Sequence, residues 1–216
     1  MPRPSAEQPQ ARRRIHTLSD AITALRGGEL VVYPTETFYG IGADPFSKAA
    51  LKRLFALKGR GAEKTVALIA PSAESAFALA REVTPLARRL ADSLWPGPLT
   101  LVMPARADIA PELVGPSGGV GVRVSSHRIA HELAAGFGNP ITATSANLSG
   151  HAPARTLAEA RAALGQKVKV FLEGGTLAAQ APSTVVEVIG NEWRIIREGA
   201  VTRRQIAAAL AEEAME

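Results

Sequence analysis

The 216 residues are 46% apolar and 21% charged, contain no cysteine, and carry a formal charge of +5. That length and apolar content suffice for one sizeable core; the lack of cysteine excludes a disulfide framework and a thiolate metal site. No apolar run approaches the roughly 18 to 20 residues a membrane-spanning helix needs, and the N-terminal MPRPSAEQPQARRR has no apolar segment after its charges, so neither a span nor a signal peptide is expected. The positive balance suits anionic ligands, although an arginine- and alanine-rich bias also arises from genomic base composition.

Residues 1–14, rich in Pro, Gln and Arg, read as a disordered basic tail, and 15–216 as one folded domain. The pattern predicts a first helix over 19–26, stopped by Gly27 and Gly28, and a strand over 29–33. PTETFYG at 34–40 cannot continue that strand, because Pro34 lacks a ladder donor. Its threonines either point at a ligand or bond local backbone in an ordinary strand-exit turn. Ser47 is placed to cap a helix to Leu57 with Leu51, Leu54 and Phe55 at helical spacing, and 66–69 reads as the next strand.

Lys58, Arg60 and Lys64 cluster where that helix ends. Cations there complement the helix dipole, which is the plain reading. The alternative is that Gly59 and Gly61 let the three side chains converge on a triphosphate. Lys58 and Arg60 are both expected to face the surface.

Further along, Ser72 is placed to cap a helix to Arg81, and Thr84 with Pro85 opens another to Leu94. WPGPLTLVMPA reads as a turn and a strand, 119–124 as a strand, Ser126 as the cap of a helix to Ala135, and 141–144 as a short buried strand. Capping-box spacing at Thr156 with Glu159 and at Thr202 with Gln205 opens two more helices. Between them lie strands at 169–172, 184–189 and 193–197, the last two a hairpin around Gly190 and Asn191. Helices and strands alternating early and pairing locally late give an α/β single domain: a twisted mixed parallel/antiparallel sheet flanked by helices.

TATSANLSG at 142–150 packs Ser145, Asn147 and Ser149 into a turn that either offers hydroxyls and N–H groups to phosphate or is a plain Ser/Asn loop. Arg123, in the otherwise apolar GVGVRVSS, either grips a carboxylate or pairs internally with an acid such as Glu36. Arg197 in IIREGA poses the same choice. His127 and His131 lack the HExxH order and read as solvated helix residues. There is no GxGxxG, no GxxxxGK[ST], and no visible nucleophile triad.

Taken in order, PTETFYGIGADPFS, ALKGRGAEK, LWPGPLTLVMPA, GVGVRVSSH, TSANLSG, APSTVVEV and IIREGAV resemble the YrdC/TsaC-type L-threonylcarbamoyladenylate synthase family, in its short single-domain form. The resemblance implies a YrdC-like fold with a concave basic face. It implies condensation of L-threonine, bicarbonate and ATP, with Mg²⁺, to threonylcarbamoyl-AMP and pyrophosphate, the first step toward N6-threonylcarbamoyladenosine in tRNA. It implies a nucleotidyltransferase located in the cytoplasm and feeding a downstream tRNA threonylcarbamoyl transferase complex.

Residue by residue, the resemblance puts a KxR motif on Lys58 and Arg60, expected to be catalytic and to bind ATP with Lys64, Ser145, Asn147 and Arg197. It puts threonine binding on Thr37, Arg123, Ala143 and Ser183, and no metal ligand is assigned. The chain departs from the family pattern at Gly61, where proline is usual, and at Ile69, where some members have histidine. Two other functions compete: a non-catalytic module binding tRNA or double-stranded RNA, favoured by the charge, and a carbamoyl-transfer domain acting in protein maturation.

Overall fold

The computed structural model describes residues 16–59, 65–148 and 150–211. Nine strands form one sheet in the order β7-β1-β2-β6-β3-β5-β4-β8-β9. They are β1 (Val31–Tyr33), β2 (Gly40–Gly42), β3 (Ala67–Ile69), β4 (Leu99–Pro104), β5 (Gly119–Arg123), β6 (Ile141–Ser145), β7 (Val170–Phe171), β8 (Thr184–Ile189) and β9 (Glu192–Arg197). The pairs β1–β7, β3–β5 and β4–β8 are parallel and the other five adjacent pairs are antiparallel, so the sheet is mixed as expected.

The two faces of the sheet follow from strand alternation. Val31 and Tyr33 join Ile69, Ile141, Val170 and Leu172 under α1 (Leu18–Arg26) and α5 (Arg128–Phe137). Val32, Leu68, Leu101, Val122 and Val186 face the opposite way. There they pack with α2 (Lys48–Lys58), α4 (Pro85–Leu94), α6 (Leu157–Leu164) and α7 (Arg203–Ala211). Both faces are thus dry over most of their area, which explains why the strands read as short apolar runs.

The caps explain most helix boundaries. Ser47, Thr84 and Thr156 accept hydrogen bonds from backbone N–H groups as the sequence indicated. Thr156 with Glu159 closes a full capping box, and Thr202 with Gln205 makes the reciprocal pair of bonds before α7. Thr17 with Asp20 forms one more at α1, a signal the sequence reading passed over.

Three expectations are corrected. The helix after Ser72, α3, spans only Ala73–Phe77, because the chain turns there so that Arg81 N–H bonds Pro104 at 2.8 Å and Ala80 bridges Ala105. The cap before α5 is His127 rather than Ser126, with no side-chain capping bond. The strands near Tyr33 and Phe171 are shorter than read, and β2 was not foreseen. Its glycines lie beneath the Tyr33 ring, where a Cβ on Gly42 would meet Cε1 at 3.0 Å.

Candidate active site

On the α1/α5 face, no residue of β4, β5 or β8 belongs to the cluster that those two helices pack, and the sheet there carries small side chains. A Cβ built on Gly121 would meet Thr100 Cγ2 at 3.4 Å and Ala67 Cβ at 3.8 Å, so these three share that floor. Ala143 pairs with Ala67 across β6–β3 and also lies on this face. Small residues in a row leave room above the sheet, and polar groups stand around the space.

On one side is Lys58, the last residue of α2, which ends at Gly59 in the left-handed conformation (φ 59°). The lysine amine donates to Ser145 O at 2.7 Å, Asn147 O at 2.6 Å and Asn147 Oδ1 at 2.9 Å. Ser145 Oγ donates to the same Oδ1 at 2.6 Å, and the Asn147 amide donates to His151 O. The expected surface lysine is therefore corrected: Lys58 is 3% exposed and built into the turn after β6. The turn's carbonyls and a side-chain oxygen supply the acceptors that make burying the ammonium tolerable. Arg60, Gly61, Lys64 and Ser149 lie outside the described residues.

On the other side is Arg123, 4% exposed at the end of β5, whose Nε donates to Glu36 Oε1 at 2.8 Å. Of the two readings of Arg123, the internal pair with Glu36 is present. Ser125 donates to the other carboxylate oxygen and accepts from His127 N–H at 3.2 Å. Arg197, at the end of β9, donates through Nη2 to Ser183 O at 2.8 Å and to Ser183 Oγ at 3.1 Å. Thr100 donates to Ser183 Oγ at 3.0 Å, tying β4 into the same network.

Arg123 and Arg197 are separated by β4 and β8, three strand spacings or about 14 Å of backbone. The pKa of Arg197 is lowered, first by desolvation and second by the charge of Arg123. Two cations close enough for one to feel the other's charge set up a field that favours anionic ligands.

The PTETFYG turn closes the remaining side. Thr35 Oγ1 accepts from Thr37 and Phe38 N–H and donates to Phe38 O, the local bonding that the plainer reading of this segment anticipated. Thr37 is buried, with its hydroxyl 3.0 Å from that of Thr35. Tyr39 OH donates to Gly175 O at 2.9 Å and accepts from Gly174 N–H at 3.0 Å, which anchors the turn to the segment after β7. Tyr33 is fully buried and donates to Thr142 O at 2.8 Å; burial pushes its phenol pKa upward.

His127 is half-buried rather than solvated, with its pKa lowered chiefly by desolvation; His131 is exposed. Ile69 is fully buried, level with Arg123 on one neighbour strand and Ile141 on the other, so it forms apolar floor. Sequence reasoning named Glu36 only as a partner for Arg123 and missed Thr100 and Ser125. Alternation in PLTLV and VRVSS was the available signal for the latter two.

A family model named for Sua5, YciO and YrdC and described as "Telomere recombination" matches residues 23–199. The chain belongs to the Sua5/YciO/YrdC family. The threonylcarbamoyl-AMP synthase of Photobacterium profundum is 37% identical over 184 residues, covering 84% of this chain and 98% of that one. Among solved structures, Pyrococcus abyssi Sua5 complexed with L-threonine aligns at TM-score 0.85 and 32% identity, covering 93% of this chain. This chain spans 60% of that longer Sua5 chain. Escherichia coli YciO aligns at TM-score 0.79 and 25% identity, covering 88% of this chain and 92% of its own. The Sua5/YciO/YrdC fold thus extends over nearly all the described residues, at the length of the single-domain members.

Proposed function

We infer that this chain is a threonylcarbamoyl-AMP synthase, a nucleotidyltransferase that condenses L-threonine, bicarbonate and ATP to threonylcarbamoyl-AMP and pyrophosphate. The observation that carries the reading is the open floor of small residues with Arg123, Ser183 and Arg197 on one side and the Lys58–Ser145–Asn147 cluster on the other. The Photobacterium profundum relative bears that activity in its name, and the Pyrococcus abyssi neighbour was solved with L-threonine. Threonine is assigned to Thr37, Arg123, the backbone at Ala143, and Ser183. ATP is assigned to Lys58, Arg60, Lys64, Ser145, Asn147 and Arg197, with Lys58 and Arg60 serving catalysis.

The reaction suits a site without a side-chain nucleophile. The threonine amine and bicarbonate combine with loss of water to a carbamate; a carbamate oxygen attacks the α-phosphate, and the bond to pyrophosphate breaks. What the protein contributes is positioning of two anions and cationic stabilisation of the charge that builds up on the leaving phosphates. Arg123 suits a carboxylate because a guanidinium fork matches its two oxygens. Lys58 orders the turn carrying Ser145 and Asn147, whose polar groups then meet the nucleotide as a fixed set.

Among the described residues no group of three or more His, Asp or Glu is arranged to hold a metal. Mg²⁺ enters as MgATP, carried by the substrate's phosphates, the usual state of this ion in nucleotide enzymes. No helix among the described residues is long and apolar enough to cross a membrane. We place the reaction in the cytoplasm, feeding a tRNA threonylcarbamoyl transferase complex.

The test is pyrophosphate release by the purified protein with MgATP and bicarbonate, with and without L-threonine. Release that depends on threonine supports the synthase. Salt-sensitive binding of tRNA or double-stranded RNA without threonine-dependent release would favour the RNA-binding alternative.

A further inference from the structure

Glu36 lies in the turn between β1 and β2, yet its carboxylate reaches β5. One oxygen takes Arg123 Nε at 2.8 Å and the other takes the Ser125 hydroxyl. Both partners are fixed from behind: Arg123 is 4% exposed on a central strand, and Ser125 accepts the His127 N–H at the start of α5. The carboxylate therefore grips a guanidinium whose backbone cannot shift. It does so by the Nε edge, where a monodentate contact leaves the Nη1/Nη2 edge unused. Neither terminal nitrogen has a hydrogen-bond partner among the described residues, and neither is a sealed unsatisfied atom.

A buried ion pair whose only purpose is stability is a poor device, since apolar residues of similar volume do as well. An arginine held by one edge, with its terminal nitrogens neither bonded nor sealed off, is instead preorganised for a second carboxylate. We propose that Glu36 is a positioning residue: it fixes the rotation of the Arg123 guanidinium so that the Nη1/Nη2 fork meets the carboxylate of the amino-acid substrate. Ser125 completes the clamp by holding the far oxygen of Glu36. The proposal rests on the assignment of threonine to Arg123 in the synthase reading.

The experiment is steady-state kinetics of pyrophosphate release by the full chain, varying threonine at saturating ATP and ATP at saturating threonine. It compares the wild type with Glu36→Ala and Glu36→Gln, and melting temperatures serve as the fold control. The glutamine keeps an acceptor for Arg123 Nε and offers an amide to Ser125 Oγ. Glu36→Ala should raise KM for threonine about tenfold or more while KM for ATP stays within about twofold, and Glu36→Gln should recover most of the loss, as expected for one charge-assisted bond.

Equal rises in both KM values, an unchanged KM for threonine, or a lowered melting temperature without the split would each overturn the proposal. If Glu36→Ala does not fold, Glu36→Gln alone decides: a modest, threonine-selective rise in KM supports the proposal and a non-selective loss contradicts it. A wild type without threonine-dependent turnover would remove the synthase reading itself, a failure separate from a wild type that turns over with Glu36 variants that do not discriminate.

Discussion

At the residue scale, Lys58 shows how a side chain can serve a site through its neighbours. Its amine satisfies three oxygens of the turn at Ser145 and Asn147. Removing the charge orphans them together. Lys58→Met should therefore abolish detectable turnover and also lower stability by on the order of 3 kcal/mol, read from the denaturant midpoint. A variant of wild-type stability would show that the three bonds are not structural.

His127 gives a pH prediction at the same scale. Desolvation lowers its pKa from the ordinary 6.5, the charge of Glu36 opposes that shift, and Arg128 adds to it. A histidine held neutral in the folded state takes up its proton first in the unfolded chain, so acid favours unfolding over the interval from the unfolded pKa down to the folded one. Its contribution is thus complete above about pH 6.5 and fades below it. In urea titrations at successive pH values, His127→Gln should show a shallower loss of stability than the wild type as the pH falls below about 6.5. Identical slopes would contradict the burial of this ring.

At the scale of elements, the cleft depends on which residues the strands place on their helix-free face. Gly121 on β5 stands opposite Val102 on β4, with Ala67 alongside on β3. A Cβ at 121 has only ordinary contacts around it, the nearest at 3.4 Å, so a larger side chain extends into the open space instead of into the core. Gly121→Leu should keep its melting temperature within a few degrees and lose activity by about a hundredfold or more, because the reactants can no longer lie on the floor. A collapse of the melting temperature would put the open side of the sheet elsewhere.

The same elements show what sequence can carry. Ser47, Thr84, Thr156 and Thr202 announce their helices because a cap is a local bond between a side chain and the next turn. The β8–β9 hairpin is local too, around Gly190 and Asn191. β2 was hidden because three residues of GIG carry no alternation, and its edges are set by β1 and β6, the latter more than 90 residues away in sequence.

For the whole molecule, the mixed α/β architecture was readable from alternating apolar runs and caps, whereas the strand order β7-β1-β2-β6-β3-β5-β4-β8-β9 was not. Strand order depends on long-range pairing that no local pattern encodes. Of the candidate site, the polar and charged positions were legible, and their burial and pairing only in part. Arg123 announced itself as an expensive charge in an apolar strand; the burial of Lys58 did not, since a lysine at a helix end reads as solvated. Hydrogen bonds and strand pairing link the segments near residues 36, 100, 123, 183 and 197, and the lysine's bonds link 58 with 145; these two groups are the basis for proposing two half-sites, one for an amino acid and one for a nucleotide.

The most direct test of that reading follows carbon from bicarbonate. With ¹⁴C-bicarbonate, L-threonine and MgATP, the account predicts one labelled carbon per molecule of a nucleotide product that contains threonine, with label absent when either threonine or ATP is withheld. An adenylate without label, or no threonine-dependent nucleotide product at all, would contradict it.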